Sequence, residues 1–222
     1  MNALKLFTSS VGKKFIMAVT GLALFFFVFG HMAGNLQVFL GPEALNRYGA
    51  FLHGLGDLLW LVRGGLLAMV ALHIWSAIKL TEENRAARPQ PYARQELVAA
   101  SYASRTMIWS GPIVAAFVIF HVLHLTAGKV LELHELGPNM PDVRYNVITG
   151  FSNPWISGFY ILAMILLCLH LYHGMWSMFQ SLGISHPRYT PIVKKAAAVL
   201  AIAVAVGNCS IPIAVLTGLL KY

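Results

Sequence analysis

Apolar residues along this chain fall into five long runs separated by short polar connections, at about 15–40, 58–80, 107–128, 155–182 and 192–220. A helix needs roughly 20 residues, at about 1.5 Å each, to cross a hydrocarbon core of about 30 Å, and every run is long enough. None alternates apolar and polar positions with the period of two that marks barrel strands. A spanning segment must satisfy its backbone groups internally, so each run predicts a helix. The expected fold is all-α: an integral membrane bundle of five transmembrane helices, forming one domain over residues 1–222. Between Gly41 and Asp57, Pro42 opens a helix-compatible stretch that predicts a short interfacial helix.

The first run follows Lys13 and Lys14, as a secretory signal would. It is longer than the apolar part of a signal, and no small-x-small site closes it, so it is expected to remain as a membrane helix.

Composition agrees with this reading: 58% of residues are hydrophobic and 11% charged, with a mean hydropathy of +0.68. A soluble domain or a disordered chain is excluded. The formal charge of +8 does not point to nucleic acid, because the basic residues lie between apolar runs, where they set topology. Lys5, Lys13 and Lys14 precede the first run, and Lys79, Arg85, Arg88, Arg94 and Arg105 lie between the second and third. Arg188, Lys194 and Lys195 lie between the fourth and fifth. The other side holds Arg47, Lys129, Arg144 and Lys221, with Glu132, Glu135 and Asp142 among them. This bias predicts a cytoplasmic N-terminus and an outside C-terminus in a multi-pass protein of the cell inner (cytoplasmic) membrane. Trp60, Trp109 and Trp155 are placed as interfacial belt residues. Cys168 and Cys209 stand alone, without zinc spacing, a C-x-x-C pair or a covalent haem motif.

Six of the nine histidines fall in or beside the runs: His31, His73, His121, His124, His170 and His173. Ionisable residues in spanning helices are costly, and their repetition in four helices asks for a function. One histidine alone is explained by bonding to a neighbour or a backbone carbonyl, but that explanation weakens as the set grows. Counted at about 1.5 Å per residue, His31 and His121 lie about 12–15 Å from the outer side, and His73 and His170 about 20–22 Å. Two histidines at one depth on different helices suit the two faces of a haem iron, and two such pairs suit two haems. Another two-haem plan, with histidines 13 or 14 residues apart on each of two helices, is absent from these runs. Gly21 precedes His31 by ten residues, as Gly111 precedes His121, and glycine permits close approach of a helix or macrocycle. His124 and His173 sit one turn from His121 and His170, so spacing alone leaves each choice of ligand open.

Several stretches resemble those of a known family. They are Ser9-Ser10-Val11-Gly12-Lys13-Lys14, Thr20-Gly21 through His31-Met32-Ala33-Gly34-Asn35-Leu36, and His73 followed by Asn84-Arg85-Ala86-Ala87-Arg88-Pro89. Gly111 through His121, and His170-Leu171-Tyr172-His173-Gly174-Met175-Trp176 continuing to Gly183, complete the set. Over residues 5 to about 190 the chain resembles the five-helix, two-haem cytochrome b anchor of succinate dehydrogenase and fumarate reductase. The resemblance implies two haem b groups with His31, His73, His121 and His170 as axial ligands, paired His31/His121 at the outer haem and His73/His170 at the inner. It favours His170, since family ligands precede a glycine by four residues as His170 precedes Gly174; the glycine spacing favours His121. His124 and His173 are then assigned to propionate, quinone or supporting contacts. Where some fumarate reductases carry a proton-conducting glutamate two residues before the fourth-helix ligand, this chain has Cys168.

By the same resemblance the chain is the electron-transfer and quinone-reactive subunit of a succinate:quinone oxidoreductase, a component of the tricarboxylic acid cycle and respiratory chain. Succinate chemistry belongs to a partner flavoprotein subunit, and an iron-sulfur subunit docks on the cytoplasmic face. No residue here is assigned a catalytic role in that chemistry. The other partners are membrane lipid and quinone, with menaquinone expected. An outer quinone site is sought at His53, Asp57 and Arg63, where a histidine or carboxylate relays protons, although interfacial capping explains these residues equally well. An inner site is sought at Ser10, Lys13, Trp176 and Gln180. Arg63 and Lys79 are candidates for haem propionates, with snorkelling as the plainer account of Lys79. Two other readings compete: a transporter or metal permease with paired histidines, and the di-haem anchor of another quinone-linked dehydrogenase or hydrogenase.

Overall fold

The computed structural model describes residues 3–87, 102–137 and 140–222. Arg88, Pro89 and Arg94, placed above among the topology and family markers, lie outside the described residues. Eight α-helices occur among those described: α1 (Ala3–Thr8), α2 (Ser10–Asn35), α3 (Ala44–Gly54), α4 (Asp57–Ala86), α5 (Tyr102–Leu125), α6 (Val143–Phe151), α7 (Pro154–Ser181) and α8 (Thr190–Leu216). Five of them, α2, α4, α5, α7 and α8, are long and apolar enough to cross a membrane. A 3-10 turn, Leu36–Leu40, extends α2, and a small antiparallel hairpin pairs β1 (Glu135–Gly137) with β2 (Met140–Pro141).

The ends of these helices follow from local chemistry more than from hydropathy. α2 starts five residues before the apolar run because Ser9 caps it, accepting from the Gly12 N–H at 3.1 Å. α4 continues six residues past Leu80, through Glu82, Glu83 and Arg85, whose charged heads leave helical bonding intact. α5 stops at Leu125, three residues short of the expected end, and the chain turns at Gly128, where φ is +60°. α7 begins at Pro154 under an Asn153 cap that accepts from the Trp155 N–H at 2.9 Å. α8 ends at Leu216 because Gly218 adopts φ +73° and Leu220 N–H bonds back to the Ala214 carbonyl at 2.9 Å.

α2 packs on α4 and α7, and α7 also packs on α5 and α8. Small residues lie within this packing: Ala197 and Ala201 on α8 are fully buried, four residues apart on one face. Met32, Leu171, Ala201 and Val204 form one cluster where α2, α7 and α8 meet. The opposite faces carry Phe26, Leu61, Leu67, Ile165 and Val199, each more than half exposed, as expected where lipid is the solvent.

The short elements cover one end of the bundle. Asp142 is completely buried there and accepts from Asn46 of α3 at 2.9 Å, from the Tyr145 N–H at 3.1 Å and from the Tyr222 hydroxyl at 2.8 Å. His134 Nδ1 stands 3.4 Å from its second oxygen. Burial pushes this carboxyl's pKa up, but the four hydrogen bonds outweigh burial and hold it below the ordinary aspartate value. Arg144 donates to the Val38 and Lys221 carbonyls, both at 3.0 Å, tying the chain's last residues to the end of α2. At the opposite end, Lys13 is buried and donates to the Thr8 carbonyl and to Glu83, which Ser10 also meets at 3.0 Å. α1, the start of α2 and the end of α4 are joined at this point.

Candidate functional site: two facing histidine pairs

Four helices bring two histidine pairs together. His31 of α2 faces His121 of α5 with ring centroids 5.7 Å apart, and His73 of α4 faces His170 of α7 at 6.2 Å. Among the described residues no three His, Cys, Asp or Glu side chains converge as a metal cluster. His31 with His121, and His73 with His170, meet in twos.

The spacing can be compared with what a shared metal requires. A metal bonded at about 2.0–2.1 Å to one nitrogen of each ring sets the centroids about 6–6.5 Å apart. The His73/His170 pair stands within that range, and the His31/His121 pair a few tenths of an ångström inside it. Edge-to-face aromatic pairs have similar spacing, so distance alone serves either purpose. Hydrogen bonding adds more. Thr20 Oγ1 donates to the Ile16 carbonyl at 2.7 Å, so its 3.2 Å contact with His73 Nδ1 is one in which it accepts. His73 therefore carries its proton on Nδ1, and Nε2 keeps a lone pair.

The two pairs lie at different levels. Gly21, whose Cβ would come within 3.2 Å of His73, is ten residues from His31, about 15 Å along α2. On α7, Tyr160, whose hydroxyl touches His121, is ten residues from His170, giving the same rise independently. The matched spacings of Gly21 and Gly111 do not reflect matched surroundings. Gly21 admits the His73 ring of the other pair, whereas a Cβ at Gly111 would meet nothing within 4 Å.

The neighbouring histidines are placed differently from the pairs. His124 is fully buried, with Nδ1 2.9 Å from the Tyr160 hydroxyl and Nε2 closed off by Gly150 of α6. It fastens α5 to α6 and α7 and does not face His31. His173 stacks edge-on against Trp176 at 5.5 Å, and His173 Nδ1, His170 Nδ1 and Trp176 Nε1 are buried without hydrogen-bond partners among the described residues.

The residues considered for quinone separate into distinct places. Ser10 and Lys13 both bind Glu83, whereas Trp176 and Gln180 share a narrow crevice with Tyr189, Thr190 and Val193. Lys194 lies over the Trp176 ring at 4.5 Å. His53 ends α3, Asp57 opens α4, and Arg63 lies over the Trp60 ring at 4.9 Å. Lys79 pairs with Glu82 at 2.8 Å on the exposed side of α4.

Thr20, Tyr160 and the Asp142 network were not singled out from sequence as functional. A hydroxyl within an apolar run is the available sign for the first two. No linear spacing connects Asp142 with Asn46 and Tyr222. Comparisons with family models, curated proteins and solved structures return no match for this chain.

Proposed function

We propose that this chain is the di-haem cytochrome b membrane anchor of a succinate:quinone oxidoreductase, passing electrons between a cytoplasmic iron-sulfur subunit and membrane quinone. The observation that carries this reading is the meeting of His31 with His121 and of His73 with His170, two pairs on four helices at two levels. The sequence resemblance independently selects the same four residues and the same pairing.

In this reading the four histidines hold two haem b groups, His73/His170 toward the cytoplasm and His31/His121 toward the outside. Haem supplies reversible one-electron chemistry, which the side chains of this protein lack. The chain's own part is orientation. α2, α4, α5 and α7 carry one ligand each, and their packing fixes both the distance between paired rings and the rise between pairs. The Thr20 hydroxyl holds His73 with its Nε2 available for ligation. Apolar walls exclude water and leave the iron centres in a low-dielectric medium.

Electrons moving between the levels cross part of the membrane potential, worth about 2.3 kcal/mol per charge per 100 mV over a full crossing. The side on which quinone binds therefore sets the energetics. Toward the outer end, His53, Asp57 and Arg63 are the residues offered to quinone, His53 and Asp57 as proton-exchanging groups. At the inner end Trp176 and Gln180 share one crevice, while Ser10 and Lys13 are held by Glu83. Menaquinone is the proposed quinone, and the flavoprotein and iron-sulfur subunits are the proposed partners.

The test is a haem assay on the complex purified in mild detergent, by pyridine haemochrome and dithionite-reduced spectrum. Two b haems per chain are expected; bound transition metal without haem would favour a metal permease instead.

A further inference from the structure

One histidine of each pair has a hydroxyl 3.2 Å from its Nδ1. We propose that Thr20 and Tyr160 are positioning residues for the two haems, Thr20 acting through His73 and Tyr160 through His121. This inference rests on the di-haem reading above.

The Thr20 hydroxyl has one proton, and helix carbonyls receive it: Ile16 O at 2.7 Å, with Met17 O at 3.2 Å. Toward His73 Nδ1 it acts only as an acceptor, beside the Met17 carbonyl that also accepts from the His73 ring, which leaves the Nε2 lone pair for iron. Tyr160 performs the same task by another route. Its hydroxyl lies between two ring nitrogens, His124 Nδ1 at 2.9 Å and His121 Nδ1 at 3.2 Å. In the arrangement proposed, its single proton goes to His124 Nδ1 and its oxygen accepts from His121 Nδ1.

His124 is fixed in place by packing. It is completely buried between α5, α6 and α7, and a Cβ at Gly150 would come within 2.8 Å of its Nε2. Phe120 and Phe151 flank its ring at centroid distances of 5.6 and 6.4 Å. Helix packing thus holds His124, His124 holds the tyrosine hydroxyl, and the hydroxyl holds His121. The paired His170 has no partner at Nδ1 among the described residues.

A hydrogen bond accepted from the distal nitrogen makes an imidazole more basic, which favours the oxidised iron and lowers its potential. Since Thr20 and Tyr160 lie on different helices and serve different pairs, each sets one potential independently.

The experiment is a potentiometric titration of the purified complex, followed by haem absorbance, for Thr20→Val, Thr20→Ser and Tyr160→Phe. The haem lost in His73→Ala identifies the inner one. Thr20→Val is expected to raise the inner haem alone, by about a tenfold change in its reduced-to-oxidised ratio, or about 59 mV for one electron. Thr20→Ser keeps the acceptor and is expected to stay at the parental potential. Tyr160→Phe is expected to raise the outer haem alone. The proposal is overturned if both haems stay unmoved, if either variant moves both, or if Thr20→Ser shifts as far as Thr20→Val. The serine and valine pair decides the matter even where Tyr160→Phe fails to assemble. A parental complex without haem overturns the di-haem reading itself, a separate result.

Discussion

Gly21 of α2 stands directly against the His73 ring of α4: a Cβ at residue 21 would lie 3.2 Å from His73 Cε1. One methyl requires that ring to give way by a few tenths of an ångström, and a branched side chain requires more. Gly21→Ala is therefore expected to keep two haems with a shifted inner-haem spectrum. Gly21→Val is expected to lose the inner haem and keep the outer. Haem per chain checks both, and a Gly21→Val complex with two unperturbed haems would remove the glycine from the site.

His121 and His124 are one turn apart but face different neighbours. His121→Ala is expected to lower haem content from two to one per chain. His124→Leu is expected to retain both haems and to destabilise the bundle by about 1–3 kcal/mol, because the Tyr160 hydroxyl loses a buried hydrogen-bond partner. Haemochrome assays and thermal unfolding in detergent separate the two effects; haem loss in His124→Leu equal to that in His121→Ala would reverse the assignment.

Glu83 and Lys13 form an unequal pair, with side-chain exposures of 38% and 6%. Removing the carboxylate strands a buried ammonium, whereas removing the lysine leaves a carboxylate that water still reaches. Glu83→Ala should lower the Tm of the complex more than Lys13→Met. The reverse order would indicate that the pair does not hold α1, α2 and α4 as described.

Asp142 gives the covered end of the bundle a pH dependence of defined sign. Its folded pKa is below the ordinary value, so the unfolded chain takes up the proton first as pH falls. Its contribution is intact above the ordinary carboxylate range, about pH 4, and is lost as pH drops through the depressed folded value. Between neutral pH and about pH 3, the parental protein is expected to lose more thermal stability than Asp142→Asn, which starts lower. Equal slopes would exclude Asp142 as the titrating group.

The five long apolar helices, and the pairing of His31 with His121 and of His73 with His170, were legible from hydropathy and helical rise, whereas the rise between the pairs, about 15 Å along α2, exceeds the separation counted from the ends of the runs. The helix between Gly41 and Asp57 was legible from Pro42, and it appears as α3. What the linear pattern lacked was contact across elements. α6 and the β1/β2 hairpin lie in a connection whose order comes from Asp142, 96 residues from Asn46 and 80 from Tyr222. Lys13 read as a topology charge and a quinone candidate, and only the fold brings Glu83 to it. Tyr160 looked like one more aromatic in an apolar run until α7 placed its hydroxyl between two histidines of α5.

The most direct test of the account is haem stoichiometry in the intact purified complex, measured by pyridine haemochrome beside the dithionite-reduced spectrum. Two b haems per chain, falling to one in His31→Ala and to one in His73→Ala, is the predicted result. A complex that assembles without haem would contradict the assignment of both histidine pairs.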